Sequence, residues 1–227
     1  AEVRSLPREE AQKWLPVEVE GTVIFFENSP TNLDQPEGMV VHDGTTGCWV
    51  SSPKPSPYRS QFRPGATVRI IGETLGRPYF PDVTNASVEF VKQGTLPKPL
   101  PISAADLFAS HLDSQWVEIE GVVIGREPRG IGITLVVEVE GHTLKAGVAL
   151  EPDANDRVAE LMQRRVKIQG VLGTVKNIES QMTGRHFLIP SFDHIVPILA
   201  STKPAKIKQT KISQLLSSNH GINEPVR

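Results

Sequence analysis

Apolar and polar residues alternate strictly along residues 17–23. Val17, Val19, Gly21 and Val23 share one face; Glu18, Glu20 and Thr22 share the other. A period of two marks a half-buried antiparallel strand. Gly21 interrupts it, as glycine does where a strand bends to close a barrel. Ahead of it, residues 6–14 predict a short helix: Pro7 suits the first turn, acids follow, Lys13 sits near the end and Pro16 stops it. Behind it, residues 28–38 read as a polar loop, and two short apolar runs, 39–42 and 48–50, flank Asp43-Gly44 as a hairpin. Pro53, Pro55, Pro57 and Pro64 exclude a regular helix over 51–64. Strands follow at 67–74 and 87–91.

The pattern then returns. Pro16-Val17-Glu18-Val19-Glu20-Gly21-Thr22-Val23 recurs as Trp116-Val117-Glu118-Ile119-Glu120-Gly121-Val122-Val123, an offset of 100. Val68-Arg69-Ile70-Ile71-Gly72 recurs as Val166-Lys167-Ile168-Gln169-Gly170, an offset of 98. Arg77-Pro78-Tyr79-Phe80-Pro81 recurs loosely as Arg185-His186-Phe187-Leu188-Ile189-Pro190, an offset of 108. Anchors in one order at nearly one spacing predict a duplicated β module. The second copy places strands at 135–139 and 142–148 around Glu140-Gly141, then at 165–174 and 194–198. Between the third and fourth strands, Val158, Leu161 and Met162 follow helical spacing, with Asp153 placed to cap the start.

Three strands, a helix and two strands, with a long bent first strand, is the order of an OB-fold. The expected fold class is therefore all-β with short helices: two tandem OB-like five-stranded barrels. An immunoglobulin-like sandwich is the alternative, disfavoured by five strands per copy rather than seven. Module one spans 1–94 and module two 102–199, the latter opened by a short helix capped by Ser103. Pro97, Pro99 and Pro101 make 95–101 a stiff, extended linker. Residues 200–227 form a basic tail and the start of a third module, since Ile212-Ser213-Gln214-Leu215-Leu216 resembles Ile102-Ser103-Ala104-Ala105-Asp106-Leu107. On that reading the chain is a piece of a longer polypeptide.

Composition changes this picture at few points. Charged residues are 22% and hydrophobic residues 38% of 227, ordinary for globular domains. A net charge of −2 supplies no overall field for a polyanion. After Ser201, however, Lys203, Lys206, Lys208, Lys211 and Arg227 face one acid, Glu224, so the tail is basic and the body acidic. Such a tail suits a nucleic-acid or membrane arm, or a solvated linker. The single Cys48 permits no internal disulfide, and beside Trp49 and Val50 it reads as a small buried hydrophobe. No apolar run reaches the roughly 18 residues of a membrane span.

Catalytic chemistry is not in view. The histidines (His42, His111, His142, His186, His194, His220) show no metal-ligand spacing. Ser114, Ser191 and Ser213 lack a nucleophile elbow. Arg129-Gly130-Ile131-Gly132 reads as a turn, and Glu18/Glu20 and Glu118/Glu120 as exposed strand positions. No catalytic or metal residue, no cofactor and no enzymatic activity are expected. Trp14 and Trp116 read as packing anchors beside the first strands. The ligand-binding candidates are Trp49, on the strand-three face of an OB barrel, and Arg77, Tyr79, Arg185, His186 and Phe187 in the loops after strand four. A cation beside an aromatic would suit a planar or anionic ligand. The alternative is a loop packed on its own barrel, the arginine stem covering the ring.

Several segments together carry a resemblance: Leu15-Pro16-Val17-Glu18-Val19-Glu20-Gly21-Thr22-Val23, Val41-His42-Asp43-Gly44-Thr45-Thr46-Gly47-Cys48-Trp49-Val50, Phe62-Arg63-Pro64-Gly65-Ala66-Thr67-Val68, Gly94-Thr95-Leu96-Pro97-Lys98-Pro99 and Ile189-Pro190-Ser191-Phe192-Asp193. With these motifs the chain resembles tandem OB-like modules in the extracytoplasmic N-terminal regions of bacterial membrane sensor proteins. Many of those are sensor histidine kinases of planctomycete- and verrucomicrobium-like bacteria. The resemblance implies a non-catalytic recognition or spacer region, an extracytoplasmic location, an unidentified ligand or protein partner, and membrane contact only through other parts of the polypeptide. It carries over no catalytic residues. A single-strand nucleic-acid-binding OB pair is the alternative function. With 6% aromatics and an acidic body, nucleic acid is not expected as a partner.

Overall fold

The computed structural model describes residues 2–27, 38–51, 53–78, 80–129, 132–149, 151–177 and 181–198. The basic tail and the start of a third copy lie outside them. One-turn α2 (Arg8–Ala11) stands within the helix expected over 6–14, and a second one-turn helix, α1 (Glu2–Ser5), precedes it. Trp14 then turns the chain through left-handed backbone, φ 56°, into the first strand.

Module one consists of β1 (Pro16–Phe26), β2 (Gly38–His42), β3 (Gly47–Ser51), a 3-10 turn (Arg59–Gln61), β4 (Ala66–Leu75) and β5 (Asp82–Gln93). The strands form a closed barrel in the order β1-β2-β3-β5-β4, as in an OB-fold. Closure requires β1 to serve two neighbours. From Pro16 to Thr22 it pairs with β4, and from Thr22 to Phe26 with β2. Gly21 sits at the changeover, where a Cβ would stand 2.5 Å from Val41 Cγ1 and 2.9 Å from His42 O. A residue without a side chain lets the strands cross that closely. Parallel pairing of Val50 with Val83 seals the barrel between β3 and β5.

The linker ends in a strand. β6 (Leu100–Pro101) pairs in parallel with the start of β7 (Trp116–Arg129). Ser103 and Asp106 cap each other's turn as expected, over a 3-10 turn rather than an α-helix. Module two continues with β8 (Gly132–Val139), β9 (His142–Ala149), α3 (Ala154–Leu161), β10 (Arg165–Lys176), β11 (Met182–Ile189) and β12 (Ile195–Pro197). β7 repeats the division of β1, pairing with β10 up to Val122 and with β8 beyond it, again with a glycine, Gly121, at the changeover. Parallel pairing of β11 with β9 closes this barrel. The helix α3 buries Ala154, Val158 and Leu161; Asp153 occupies the cap position without a side-chain cap bond.

The fifth strand extends further than the sequence suggests. In module one, β5 runs along β4 throughout, with one bulge near Asn85, whose φ is 51°, and another at Val91. In module two the strand is cut: β11 pairs with the second half of β10, a 3-10 turn (Phe192–His194) intervenes, and β12 pairs with the first half. The registers equate Val88 with Ile195, which face Ile70 and Ile168. Each barrel holds its own core, around Val23, Met39, Ile70 and Val88 in one and Ile119, Leu135, Ile168 and Phe187 in the other.

Candidate functional site

A third apolar cluster joins the barrels. Ile24, Phe25 and Val40 of module one meet Trp116, Val171 and Leu188 of module two, with Trp49 and Leu96 half-buried against them. Ile24, Val40 and Trp49 lie on β1, β2 and β3, the outer surface on which an OB barrel ordinarily receives its ligand. Module two therefore fills module one's ligand face. The fit is close: a Cβ on Gly47 would collide with the Ser114 carbonyl oxygen. Gln115 Nε2 donates to Thr46 Oγ1 across the seam at 2.7 Å.

The ladders show what stands at the same place in module two. Phe25, Val40 and Trp49 lie side by side across β1, β2 and β3. After the same bulge, Gly125, Val136 and Lys145 lie side by side across β7, β8 and β9. Phenylalanine is replaced by glycine and tryptophan by lysine, with Ile124 in the place of Ile24. Ile124 is 42% exposed, whereas Ile24 is fully buried. The surface that docks in module one is open in module two. The opposite half of the seam is equally one-sided: Trp116 and Val171 are register neighbours in module two, where module one has Pro16 and Glu73.

The open face carries one cation held by an exposed partner: Lys145 Nζ lies 2.7 Å from Glu127 Oε2. Exposed pairs of this kind contribute about 0–1 kcal/mol and exchange readily for another partner. Arg126, beside core Leu135 in the ladder, points to the other side of the sheet, where its Nη1 donates to Asn155 Oδ1 at 2.8 Å. His186 stands beside Lys145 in the β9–β11 ladder, its ring lying over Gly173.

The sequence candidates therefore scatter. Trp49 lies in the seam between barrels with its ring against Gly38, so it is no open platform. Arg77 is on the surface and pairs with Asp82, Nε to Oδ2 at 3.0 Å. Tyr79 lies outside the described residues. Arg185 is corrected from ligand contact to interior brace. It is 7% exposed, its Nε donates to Leu107 O at 2.7 Å and its Nη2 to Ala109 O at 2.6 Å, and it contacts Thr174 and Asp113 as well. Phe187 is likewise corrected: it is a fully buried core residue. The matching of Arg77 with Arg185 also fails, because parallel pairing equates Val83 with Phe187 and so Asp82 with His186. Of the candidates, His186 alone borders the open face among the described residues. Ile124, Val136 and Lys145 were legible only through the hairpin alignment, which sets Trp49 opposite Lys145.

Other reactive groups are quiet. Burial, with Asp82 nearby, pushes the Cys48 thiol up to about 12, against the pull of Arg4. Trp116 is 3% exposed, as the packing reading requires, while Trp14 is 52% exposed and anchors nothing comparable. The Trp116 Nε1 has no hydrogen-bond partner among the described residues, and His194 stands edge-on to its ring at 5.3 Å. Burial lowers the His194 pKa, against the pull of Asp193. Among the described residues, no group of three His, Cys, Asp or Glu side chains is placed to hold a metal ion, and no helix is long and apolar enough to cross a membrane.

No family model and no curated protein matches the chain. Solved structures do. A murine DNA-binding protein bound with double-stranded DNA shares 13% identity over 82% of this chain and 97% of its own, with a TM-score of 0.40. The Ifi202 HINa domain in complex with 20-base-pair double-stranded DNA shares 12% over 81% and 97%, with a TM-score of 0.37. An aspartyl-tRNA synthetase from Leishmania major shares 15% over 47% of this chain and 22% of its own, with a TM-score of 0.34. These matches correct one expectation. The expectation that nucleic acid is no partner is withdrawn: two of these solved proteins are bound to double-stranded DNA. Likeness at these TM-scores assigns no ligand to this chain; the OB class rests on its own strand order.

Proposed function

We propose that this chain is a non-catalytic OB pair that binds nucleic acid on the open β7–β8–β9 face of module two. One observation carries the reading: the ligand face of module one is filled by module two, while the equivalent face of module two keeps Ile124 and Val136 and substitutes Lys145 for the tryptophan. Lys145 supplies charge for a phosphate backbone, and Ile124, Val136 and His186 supply apolar and planar surface for bases. OB barrels take oligonucleotides on this face. The test is a titration of labelled single- and double-stranded oligonucleotides at low salt. Binding is expected to weaken with a log–log salt slope of about −0.7 to −0.9 per phosphate contacted. Lys145→Glu is expected to weaken it severely, while Arg69→Glu on module one leaves most of it. No complex at low salt, or equal loss from both variants, overturns the reading.

A second reading keeps the resemblance to extracytoplasmic sensor modules. The continuous seam favours it, because a rigid pair can pass a displacement from one barrel to the other. Binding of a small ligand without nucleic-acid affinity would select it.

A further inference from the structure

The duplication places an occupied strand edge beside a vacant one. In module two the first half of β7 has β10 on one edge and β6 on the other; Leu100 stands beside Val117 and Pro101 beside Glu118. Ile102 N donates to Glu118 O at 2.9 Å. In module one the first half of β1 has β4 on one edge. On its other edge the described residues place no strand, because the residues ahead of α2 turn into α1 instead.

The polar groups on that edge can be identified. Thr74 N donates to Leu15 O at 2.9 Å. N–H and C=O of one residue point the same way in an antiparallel ladder and alternate along it. The groups of Val17 and Val19 thus face β4, and those of Glu18 and Glu20 face outward, as Glu118 does in module two. Exposure agrees: Glu18 is exposed where Glu118 is half-buried. The charge around the edge is negative, since Glu18, Glu20 and Glu89 all surround the one Arg69.

We propose that the Glu18–Glu20 edge of β1 binds a second polypeptide by parallel strand addition, the partner presenting an extended Lys-Pro-apolar-Pro segment. Three features select that chemistry. The segment that fills the equivalent edge reads Lys98-Pro99-Leu100-Pro101-Ile102. Its prolines keep it extended and withhold N–H groups on the side that needs none. Its lysine meets the carboxylates. Outward carbonyls and amides then supply the main-chain bonds typical of strand addition.

The probe is a synthetic peptide with the sequence of residues 97–103, added to the intact chain and followed by amide NMR. In module two the segment gains from a tether, whose effective concentration is of order mM. Half-saturation at about 1 mM or below is therefore expected, with shifts confined to residues 16–21 and the flanking end of β4. Glu18→Pro removes the outward N–H equivalent to that of Glu118 without touching the β4 ladder and is expected to abolish binding. Slowed exchange of the Glu18 amide on adding peptide reads the same contact in the unmodified protein. Absence of shifts at several times that concentration, shifts elsewhere, or binding by a scrambled peptide of equal charge overturns the proposal. None of these readouts involves oligonucleotides, so the fate of the module-two face is decided separately.

Discussion

At the scale of the residue, Arg185 shows how little a side chain's chemistry says about its role until its neighbours are known. An arginine beside a histidine and a phenylalanine suits a ligand site in sequence. In the barrel it braces the loop ahead of β7 through the carbonyls of Leu107 and Ala109. Arg185→Met keeps the volume and leaves those acceptors and Asp113 without their cation. The loss of one partner from a buried charged pair costs about 3–5 kcal/mol, so the urea midpoint of the variant should fall accordingly while its strand content persists. An unchanged midpoint would show the brace to be idle. His194 offers a second test at this scale. Burial lowers its pKa, against Asp193, so the folded protein holds the proton less well than the unfolded chain does. Stability is then full above the unfolded value of about 6.5 and declines as pH falls through it. Unfolding free energy measured between pH 7.5 and 5.5 should drop, and His194→Phe, which preserves the edge-on contact with Trp116, should flatten part of that slope.

At the scale of the element, legibility follows the density of local signal. The long first strands were readable because alternation and a glycine coincide at Gly21 and Gly121, and the glycine proves to mark the exchange of partners. The hairpins at Asp43-Gly44 and Glu140-Gly141 and the helix α3 were readable for the same reason: turn chemistry or helical spacing is written in adjacent residues. The early half of the fifth strand was not. Residues 82–86 and 182–189 carry no clean alternation, and they are strands because β4 and β10 offer a ladder. The helix after Pro7 is one turn long because so short a segment, burying Ala11 alone, gains little to offset nucleation. The candidate site was read least well. Its exposed and buried residues differ by which barrel faces which, a property of paired modules that no single strand encodes.

At the scale of the molecule, the seam decides whether two barrels behave as one body. Each half of it is apolar only where it is used: Phe25 and Val40 on one side, Trp116, Val171 and Leu188 on the other. A spacer of two independent beads would not need that complementarity, nor the backbone approach of Gly47 to Ser114. The duplication itself supplies a matched pair of substitutions. Phe25 is buried in the seam, 8% exposed, and its counterpart Gly125 has room for a side chain, a Cβ there lying 3.6 Å from the nearest Val136 atom. Phe25→Asp should therefore place a carboxylate in an apolar joint at a cost of about 3 kcal/mol or more. Gly125→Asp should stay within about 1 kcal/mol on a solvated face. Denaturation followed together by far-ultraviolet circular dichroism and tryptophan fluorescence distinguishes them. The parent protein and Gly125→Asp should unfold in one coincident transition. Phe25→Asp should separate into two, with Trp116 already exposed to quencher before either barrel melts. If Phe25→Asp retains a single transition at the parent midpoint, the barrels are held by something other than this seam, and the contrast between a closed face and an open one loses its basis.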